Sequence, residues 1–434
     1  MSDNLKDIIL LQEHQPFVNP RGWGNGRDYF DKMEYLVGLG LTFEEPDFLK
    51  EPKYLGISNW IASYYIGAAW LVSDELAVVV TPKVPDIDFV QMFLSALEVD
   101  TQKESDYFAQ CYGIQFDEPQ IETHEELNQL TPLLVLHFIS LLERLVKHGL
   151  KKDYLLHEEN LKAKVKGRIL FGKHLKTNVF QQRSDRMYCQ YQEYTDDIPE
   201  NRLLKKALLF SERILDRCDS LKRQSQYPDL QLRLNRLKAS FSHISDDIEP
   251  YQVQKLSSNK LFKGYKEAIK VAKMILRRFD YSIREASSEQ HSTPPFWIDM
   301  ARLYEMWVWK QLQNSSIYPV LFQEVGSYRR QVADFVIKEE KLILDAKYKP
   351  NYMNENWVDV EDIRELSGNA RDERLLPNLP EDYSPRCIII YPGNTDELKP
   401  ESDILFEQQG KKIPHYRNFF KISVPLPIYN NEHK

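Results

Sequence analysis

Two aspartates in the C-terminal part of the chain have the residue type and the spacing for work on a cation. Asp334 and Asp345 lie in two short runs rich in β-branched and aromatic residues, and the polar stretch 338–341 separates the runs. This pattern predicts a β-hairpin. A turn centred between Glu339 and Glu340 makes Asp334 face Asp345 across the two strands, with Cβ atoms about 5 Å apart.

Lys347 follows Asp345 by two residues, so it points to the same face of the hairpin. Facing carboxylates repel each other unless one is protonated or a cation lies between them. Mg²⁺ suits such a site because it takes oxygen ligands and keeps bound water. A nearby lysine can orient or deprotonate a water molecule while the metal neutralises a phosphate. The three residues therefore indicate metal-dependent phosphodiester hydrolysis or, equally, a surface hairpin with solvated charges.

The hairpin resembles the core of the PD-(D/E)xK nucleases, with Asp334 as the first acid and Asp345-Ala346-Lys347 as the (D/E)xK element. Ala333 stands where the motif has its proline, which is not a metal ligand. The resemblance implies a glutamate on a preceding helix, and Glu305 lies in a stretch of helical periodicity, Ile298–Leu312. It thus implies catalytic roles for Asp334, Asp345, Lys347 and Glu305, with the three acids binding Mg²⁺.

The elements expected after the hairpin are also present in the pattern. Val360–Leu366 fits a helix, and Arg386–Tyr391 reads as a buried strand that ends near Pro392. Earlier in the chain, stretches 64–72 and 76–81 predict two strands, followed by an amphipathic helix over 89–97. Residues 127–285 are dominated by helical pattern.

Length and pattern together predict a multidomain α+β protein. At 434 residues the chain should hold two or three domains. We expect a small β-rich N-terminal module over residues 1–125, a mainly helical middle domain with a basic β segment over 126–286, and a C-terminal α/β restriction-endonuclease-like domain over 287–434. Residues 287–295, rich in serine and proline, read as the linker into this last domain.

The net charge limits what the chain is expected to bind alone. The formal charge is -8 and the sequence pI is about 5.8, which argues against strong unaided binding to DNA. Four cysteines without a CxxC pair suit a reducing cytoplasm and give no zinc signal. Neither a signal peptide nor an apolar stretch of about 20 residues is visible, so no membrane association is expected.

One segment, 161–176, is the most basic in the chain and alternates cationic with apolar residues. This alternation fits a strand or hairpin with one cationic face. Two interpretations stay open: a solvated face, or a surface for a phosphate backbone or an acidic partner. The nucleic-acid contacts expected here are Lys166, Arg168 and Lys173, with Lys349 beside the hairpin.

Motifs over most of the chain resemble the McrC family, the nuclease subunit of the McrBC modified-cytosine restriction system. In the middle region these are Gly167-Arg168-Ile169, Asn178, Tyr191-x-Glu193-Tyr194 and Asn201-Arg202-x-Leu204-Lys205. In the C-terminal half they are Met300-x-x-Leu303-Tyr304-Glu305, Asp345-Ala-Lys-Tyr-Lys349 and Ile390-Tyr391-Pro392. Tyr65-Ile-Gly67 and Thr81-Pro82-Lys83 match the N-terminal module more weakly. Glu365 is a departure, because the family often has glutamine there.

The resemblance implies that the protein acts with a partner. Family members work with an AAA+ GTPase hexamer of the McrB type, stimulate its GTP hydrolysis through the N-terminal module, and cut double-stranded DNA carrying modified cytosine. No Walker A motif occurs in this chain, so nucleotide hydrolysis would belong to the partner. Two other functions remain open: a catalytically silent adaptor that caps the ring, and a stand-alone nuclease on structured DNA.

Overall fold

The structure is a computed structural model of the chain. It describes residues 7–15, 47–58, 61–100, 107–115, 118–123, 130–216, 227–253, 263–284, 291–328, 331–355, 357–380, 383–393 and 410–428. Within these residues no helix is long and apolar enough to cross a bilayer.

Two compact units form, and the first is built from both ends of the chain. Unit 1 contains Met1–Gln129 and Gln290–Lys434, and unit 2 contains Leu130–Glu289. The middle boundaries lie close to the predicted 126–286. The sequence predicts separate N-terminal and C-terminal domains, whereas in the structure these two parts form one unit. The expected multidomain α+β class is confirmed.

The first sheet of unit 1 explains this union. Its strand order is β1–β3–β2–β10–β4, and a separate strand pair joins β5 to β9. The strands are β1 (Asp7–Gln12), β2 (Tyr65–Val72), β3 (Leu76–Thr81), β4 (Tyr112–Ile114), β5 (Ile121–Thr123), β9 (His291–Thr293) and β10 (Phe296–Asp299). Because β10 comes from the C-terminal part and pairs with both β2 and β4, the N-terminal strands share their sheet with the rest of the unit.

The second sheet of unit 1 carries the hairpin. Its strand order is β11–β12–β13–β14–β16–β15. The strands are β11 (Leu321–Val325), β12 (Val332–Ile337), β13 (Leu342–Ala346), β14 (Arg386–Gly393), β15 (Lys411–Lys412) and β16 (Phe419–Pro425). Strands β13, β14 and β16 run parallel, whereas β11, β12 and β13 pair antiparallel. Strand β13 and nearly all of β14 are buried on both faces, as expected for parallel strands in a covered sheet.

Three helices belong to unit 1, counted over its described residues: α1 (Phe89–Asp100), α7 (Met300–Ser315) and α8 (Val360–Asn369). The side chain of Asp299 caps α7 by accepting a hydrogen bond from the Arg302 amide, and Asp359 caps α8 in the same way. Ile363 and Leu366 of α8 pack with Val336 and Ile343 of the hairpin in one buried cluster.

Unit 2 combines helices with a sheet of order β6–β8–β7. Its elements are α2 (Leu130–His148), β6 (Asp153–Lys162), β7 (Arg168–Ile169), α3 (Phe171–His174), β8 (Arg186–Thr195), α4 (Pro199–Leu215), α5 (Tyr227–Ser240) and α6 (Lys263–Arg284). Strands β6 and β8 form a ribbon of ten paired residues on each strand.

Three sequence expectations differ from the structure. The helix expected from Ile298 begins at Met300, because Ile298 and Asp299 complete strand β10. The expected linker 287–295 contains β9, which pairs with β5. The basic segment 161–176 forms neither one strand nor a hairpin, because Leu161 and Lys162 end β6, Arg168 and Ile169 form β7, and both strands pair with β8 rather than with each other. The residues Phe171–Val179 then form a short helix and a π turn.

Candidate active site

The hairpin has the register that the sequence predicts. Phe335 pairs with Leu344 and Val336 pairs with Ile343, so Asp334 faces Asp345 at the next position. The charge of each carboxyl group acts on the pKa of its neighbour or is acted on by it, as expected for two acids at facing positions. Asp334 Oδ2 also accepts a hydrogen bond of 3.0 Å from the Ala346 amide. The sheet therefore fixes the two acids side by side, which confirms the expected geometry of the pair.

Burial makes this pair costly to ionise. Desolvation, with the nearby Glu305 carboxyl, raises the pKa of Asp334 to about 7. Desolvation and the facing Asp334 also raise the pKa of Asp345 well above its usual range, although Lys347 opposes the shift. Two facing carboxyls, one buried and one half-buried, that cannot both ionise without a cation are a typical catalytic arrangement.

Lys347 lies beside the pair and joins it to helix α8. Its Nζ is 2.9 Å from Asp345 Oδ2 and donates a 2.9 Å hydrogen bond to Glu365 Oε2. Burial lowers the pKa of Lys347, but the attraction of Asp345 and the hydrogen bond to Glu365 outweigh it, so the pKa is raised overall. The side chain is therefore an ammonium group in this arrangement, suited to orienting an oxygen rather than removing a proton.

Glu305 reaches the pair only through another side chain. Gln323, on β11, donates from its Nε2 to Glu305 Oε2 at 3.1 Å and to Asp334 Oδ1 at 3.0 Å. The hydroxyl of Tyr107 donates to the same Glu305 oxygen. Burial, opposed by this hydrogen bond, raises the pKa of Glu305 to about 7.

The acids fit a divalent cation in part. Asp345 Oδ2 is buried, and no donor among the described residues is aligned to hydrogen-bond with it. The Lys347 ammonium, 2.9 Å away, balances the charge of this oxygen, and a buried acid oxygen that takes a cationic partner is chemically suited to bind a divalent cation. However, no group of three or more His, Cys, Asp or Glu side chains in the described residues is arranged to hold a metal ion. Two carboxylates suffice for Mg²⁺, which keeps several waters and takes further oxygens from a phosphate substrate.

Comparison with known protein families identifies the chain. A family model described as a McrBC 5-methylcytosine restriction system component matches residues 62–364, well over half of the chain. The chain belongs to the McrBC family. The matched region contains all four of the residues that sequence reasoning assigned to catalysis.

Solved structures of McrBC assemblies resemble the chain distantly. One is a refined half-complex from a tetradecameric assembly of Thermococcus gammatolerans McrB AAA+ hexamers with bound McrC, with 15% identity over 97% of this chain and 94% of that chain, and a TM-score of 0.39. A second is the cryo-EM structure of the Thermococcus gammatolerans McrBC complex, with 15% identity, 72% and 89% coverage, and a TM-score of 0.31. Among curated proteins, none matches the chain.

Two residues of the candidate active site were not found from the sequence. Gln323 lies opposite Asp334 on β11, and the apolar Leu321, Phe322 and Val325 are the only local signal for this strand. Tyr107 comes from the N-terminal part, almost 200 residues before Glu305. The residues around Tyr107 show no local sequence pattern that predicts this contact.

The four residues expected to contact nucleic acid differ from one another in their contacts. Lys166 lies over the Tyr191 ring and near Glu193, while Lys173 is paired with Glu158. Arg168 is an exposed residue of β7. Lys349 donates to both oxygens of Asp362 at 2.9 Å and to Asp359 at 2.7 Å. The role of these four residues in binding DNA stays a prediction.

Proposed function

We propose that the protein is the Mg²⁺-dependent DNA endonuclease subunit of a GTP-driven, modification-dependent restriction complex. The observation that carries this proposal is the pair of facing acids, the half-buried Asp334 and the buried Asp345, with the Lys347 ammonium beside it. A purely structural hairpin has no reason to place two facing carboxyls away from solvent. Membership of the McrBC family supplies the restriction context.

Each residue has a distinct task in this proposal. Asp334 and Asp345 would hold Mg²⁺, which would supply charge neutralisation at the phosphate and a lowered pKa for a bound water. Lys347 orients the attacking water or a phosphate oxygen with its ammonium group. Glu305 supports the acid pair through Gln323. In-line attack on the phosphodiester then leaves a 5′-phosphate and a 3′-hydroxyl.

The proposed partner is an AAA+ GTPase hexamer of the McrB type, whose GTP hydrolysis the protein stimulates. Besides family membership, exposed apolar side chains in unit 2 support a protein partner, because isolated domains seldom leave so many uncovered. Eight of them lie on β6, β8 and the segment between these strands: Tyr154, Leu156, Val165, Phe171, Leu175, Val179, Phe180 and Tyr194. A partner that reads the DNA also explains how an acidic protein cuts it.

The first test is plasmid cleavage with Mg²⁺, comparing the wild type with Asp345→Asn. Each protein is assayed alone and with its AAA+ partner and GTP, on DNA with and without modified cytosine. We expect cleavage only in the complete mixture and a loss of at least about 1,000-fold in the variant, because one metal ligand is gone. The variant should keep its melting temperature and its stimulation of GTP hydrolysis.

Other outcomes would change the proposal in different ways. Cleavage by the protein alone would favour a stand-alone nuclease. Stimulation of GTP hydrolysis without cleavage by either version would favour an adaptor. Glu340→Gln, an acid-to-amide change in the exposed hairpin turn, is the matched control and should cut like the wild type.

A further inference from the structure

The backbone that carries Lys347 leaves its sheet at the catalytic residue. The pairing of β13 with β14 ends at Ala346 and Ile390, and the last ladder hydrogen bond runs from the Lys347 amide to the Ile390 carbonyl at 2.8 Å. Beyond this point the strand has no ladder partner. Other contacts must therefore fix the direction of the chain from Lys347 to Lys349.

Residues from the N-terminal part of unit 1 make those contacts on Tyr348. Lys83 Nζ donates a 2.7 Å hydrogen bond to the Tyr348 carbonyl and lies 3.9 Å from the centre of its ring. Lys83 belongs to the Thr81-Pro82-Lys83 motif, which has no role among the residues of the candidate active site. The ammonium thus holds both the backbone and the side chain of the residue that follows Lys347.

Glu13 completes this contact from the end of β1. Its Oε2 accepts a 2.8 Å hydrogen bond from the Lys83 amide and a 3.3 Å hydrogen bond from the Tyr348 hydroxyl. The side chain is 5% exposed, and its Oε1 has no hydrogen-bond partner among the described residues. Burying a carboxyl group with an unpaired oxygen lowers the stability of the fold, so we expect Glu13 to have a role other than stabilisation.

We propose that Glu13, Lys83 and Tyr348 form an N-terminal clamp that positions Lys347 for cleavage. Lys83 and Glu13 are positioning residues, since they act through Tyr348 on the backbone of Lys347 and touch neither the acid pair nor its cation. The clamp rests on the proposed nuclease function. It makes the N-terminal module a working part of the cleavage site.

The effect of releasing the clamp is expected to be specific. A displacement of about 1 Å in a catalytic group can lower a rate on the order of 100-fold. Asp334 and Asp345 are held by β12 and β13 instead, so binding of a cation should not depend on Lys83. Release should therefore lower kcat while leaving KM for DNA and the affinity for Mn²⁺ unchanged.

The test compares the full chain with Lys83→Met, which keeps the length of the side chain and removes its charge. Hydrogen exchange is followed in peptides covering residues 345–352 and 386–393, with Mn²⁺ titration and cleavage kinetics alongside. We expect exchange of the Lys347 and Lys349 amides to accelerate at least about 10-fold, with β14 unchanged, and kcat to fall about 10- to 100-fold.

Three further variants separate positioning from general damage. Lys53→Met, the same change at an exposed lysine of the N-terminal part, should behave like the wild type. Lys83→Arg keeps the cation and should retain most of the rate. Tyr348→Phe removes only the hydroxyl bond to Glu13 and should show a smaller loss than Lys83→Met.

Two results would overturn the clamp. One is unchanged exchange at Lys347 and Lys349 in Lys83→Met. The other is a parallel change in kcat, KM and Mn²⁺ affinity, which would mean loss of structure throughout the site. If wild-type protein fails to cut DNA, the proposed nuclease function fails, and the exchange comparison then decides on the clamp by itself.

Discussion

Gln323 combines two features that seldom occur together in a strand. Its φ is 52°, in the left-handed region that favours glycine, and its amide bridges the Asp334 and Glu305 carboxyls. Strained backbone at a functional site persists when the surrounding contacts hold it. The bridge therefore sets how Glu305 approaches the acid pair, and the strain is the energetic consequence of that geometry.

Replacing Gln323 should separate the strain from the bridge. Gln323→Ala and Gln323→Gly both lose the amide, but only glycine adopts a positive φ without a steric penalty. We expect the glycine variant to have the higher free energy of unfolding, by up to about 1 kcal/mol, in urea titrations. Equal stability of the two variants would show that the backbone relaxes and stores no strain.

Glu13 should make the stability of the protein depend on pH. Burial, opposed by Lys83, raises the pKa of Glu13 from 4.5 to about 7, and the pKa values of Glu305 and Asp334 also rise to about 7. Between about pH 4.5 and 7 the unfolded chain has released protons that the folded protein still holds. The free energy of unfolding contributed by these groups therefore falls as the pH rises through this window.

Glu13→Gln removes one of these groups without changing its size. At pH 8 the variant should be more stable than the wild type by up to about 3 kcal/mol, and its stability should decline less steeply between pH 5 and 7. Urea unfolding without divalent cations, at several pH values, measures both effects. A variant that parallels the wild type at every pH would contradict the burial cost assigned to Glu13.

Strand β16 stabilises the loop after the hairpin through one buried cation. Lys421 is 3% exposed, and its Nζ donates to the carbonyls of Tyr352, Asn354, Glu355 and Trp357 at 2.7 to 3.4 Å. These carbonyls lie in the segment that connects Lys349 to α8. A single ammonium group thus joins the 3₁₀ helix Pro350–Met353 to the irregular residues that follow it.

Lys421→Met should leave those carbonyls without a donor. We expect a loss of about 2 to 4 kcal/mol in the free energy of unfolding, since several buried acceptors become unsatisfied together. Lys411→Met, on the neighbouring β15, removes a lysine that is 63% exposed and should cost less than about 1 kcal/mol. Similar losses in thermal or urea unfolding for both variants would refute the special role of Lys421.

The elements of the site were predictable to the extent that their signals are local. Alternation and the polar turn determined the register of the hairpin, and helical periodicity placed Glu305 on α7. The start of α7 was wrong by two residues because pairing with β2 draws Ile298 and Asp299 into β10. Tyr107, Glu13 and Lys83 meet the site through contacts across 198, 335 and 265 residues of sequence. Periodicity carries no information about such distant contacts.

At the scale of the whole molecule, β10 joins the N-terminal and C-terminal parts of the chain in one sheet. We call its pairing with β2 and β4 the seam. Gly67 of β2 has a φ of 138°, and a Cβ placed on it would lie 2.1 Å from the Phe296 carbonyl oxygen on β10. Only glycine lets the two backbones approach this closely. The Tyr65-Ile-Gly67 motif therefore has a structural purpose, which is to admit β10 into the N-terminal sheet.

Gly67→Ala should open this seam. We expect a loss of about 3 kcal/mol or more in the free energy of unfolding, because the clash is with backbone that cannot turn away. Limited proteolysis should then cut first near residues 291–299. Gly172→Ala, where an added Cβ meets nothing within 4 Å, is the control and should unfold with the wild type. Equal resistance of Gly67→Ala would show that β2 and β10 separate without consequence.

The seam also determines when the protein can finish folding on the ribosome. Strand β4 is complete at Ile114, yet its neighbour β10 begins at Phe296, so roughly 180 residues must be synthesised before the two can pair. At about 5 to 20 residues per second, the nascent N-terminal sheet waits about 10 to 40 seconds with the edges of β2 and β4 uncovered. During that interval the uncovered edges of β2 and β4 are exposed to pairing with other chains.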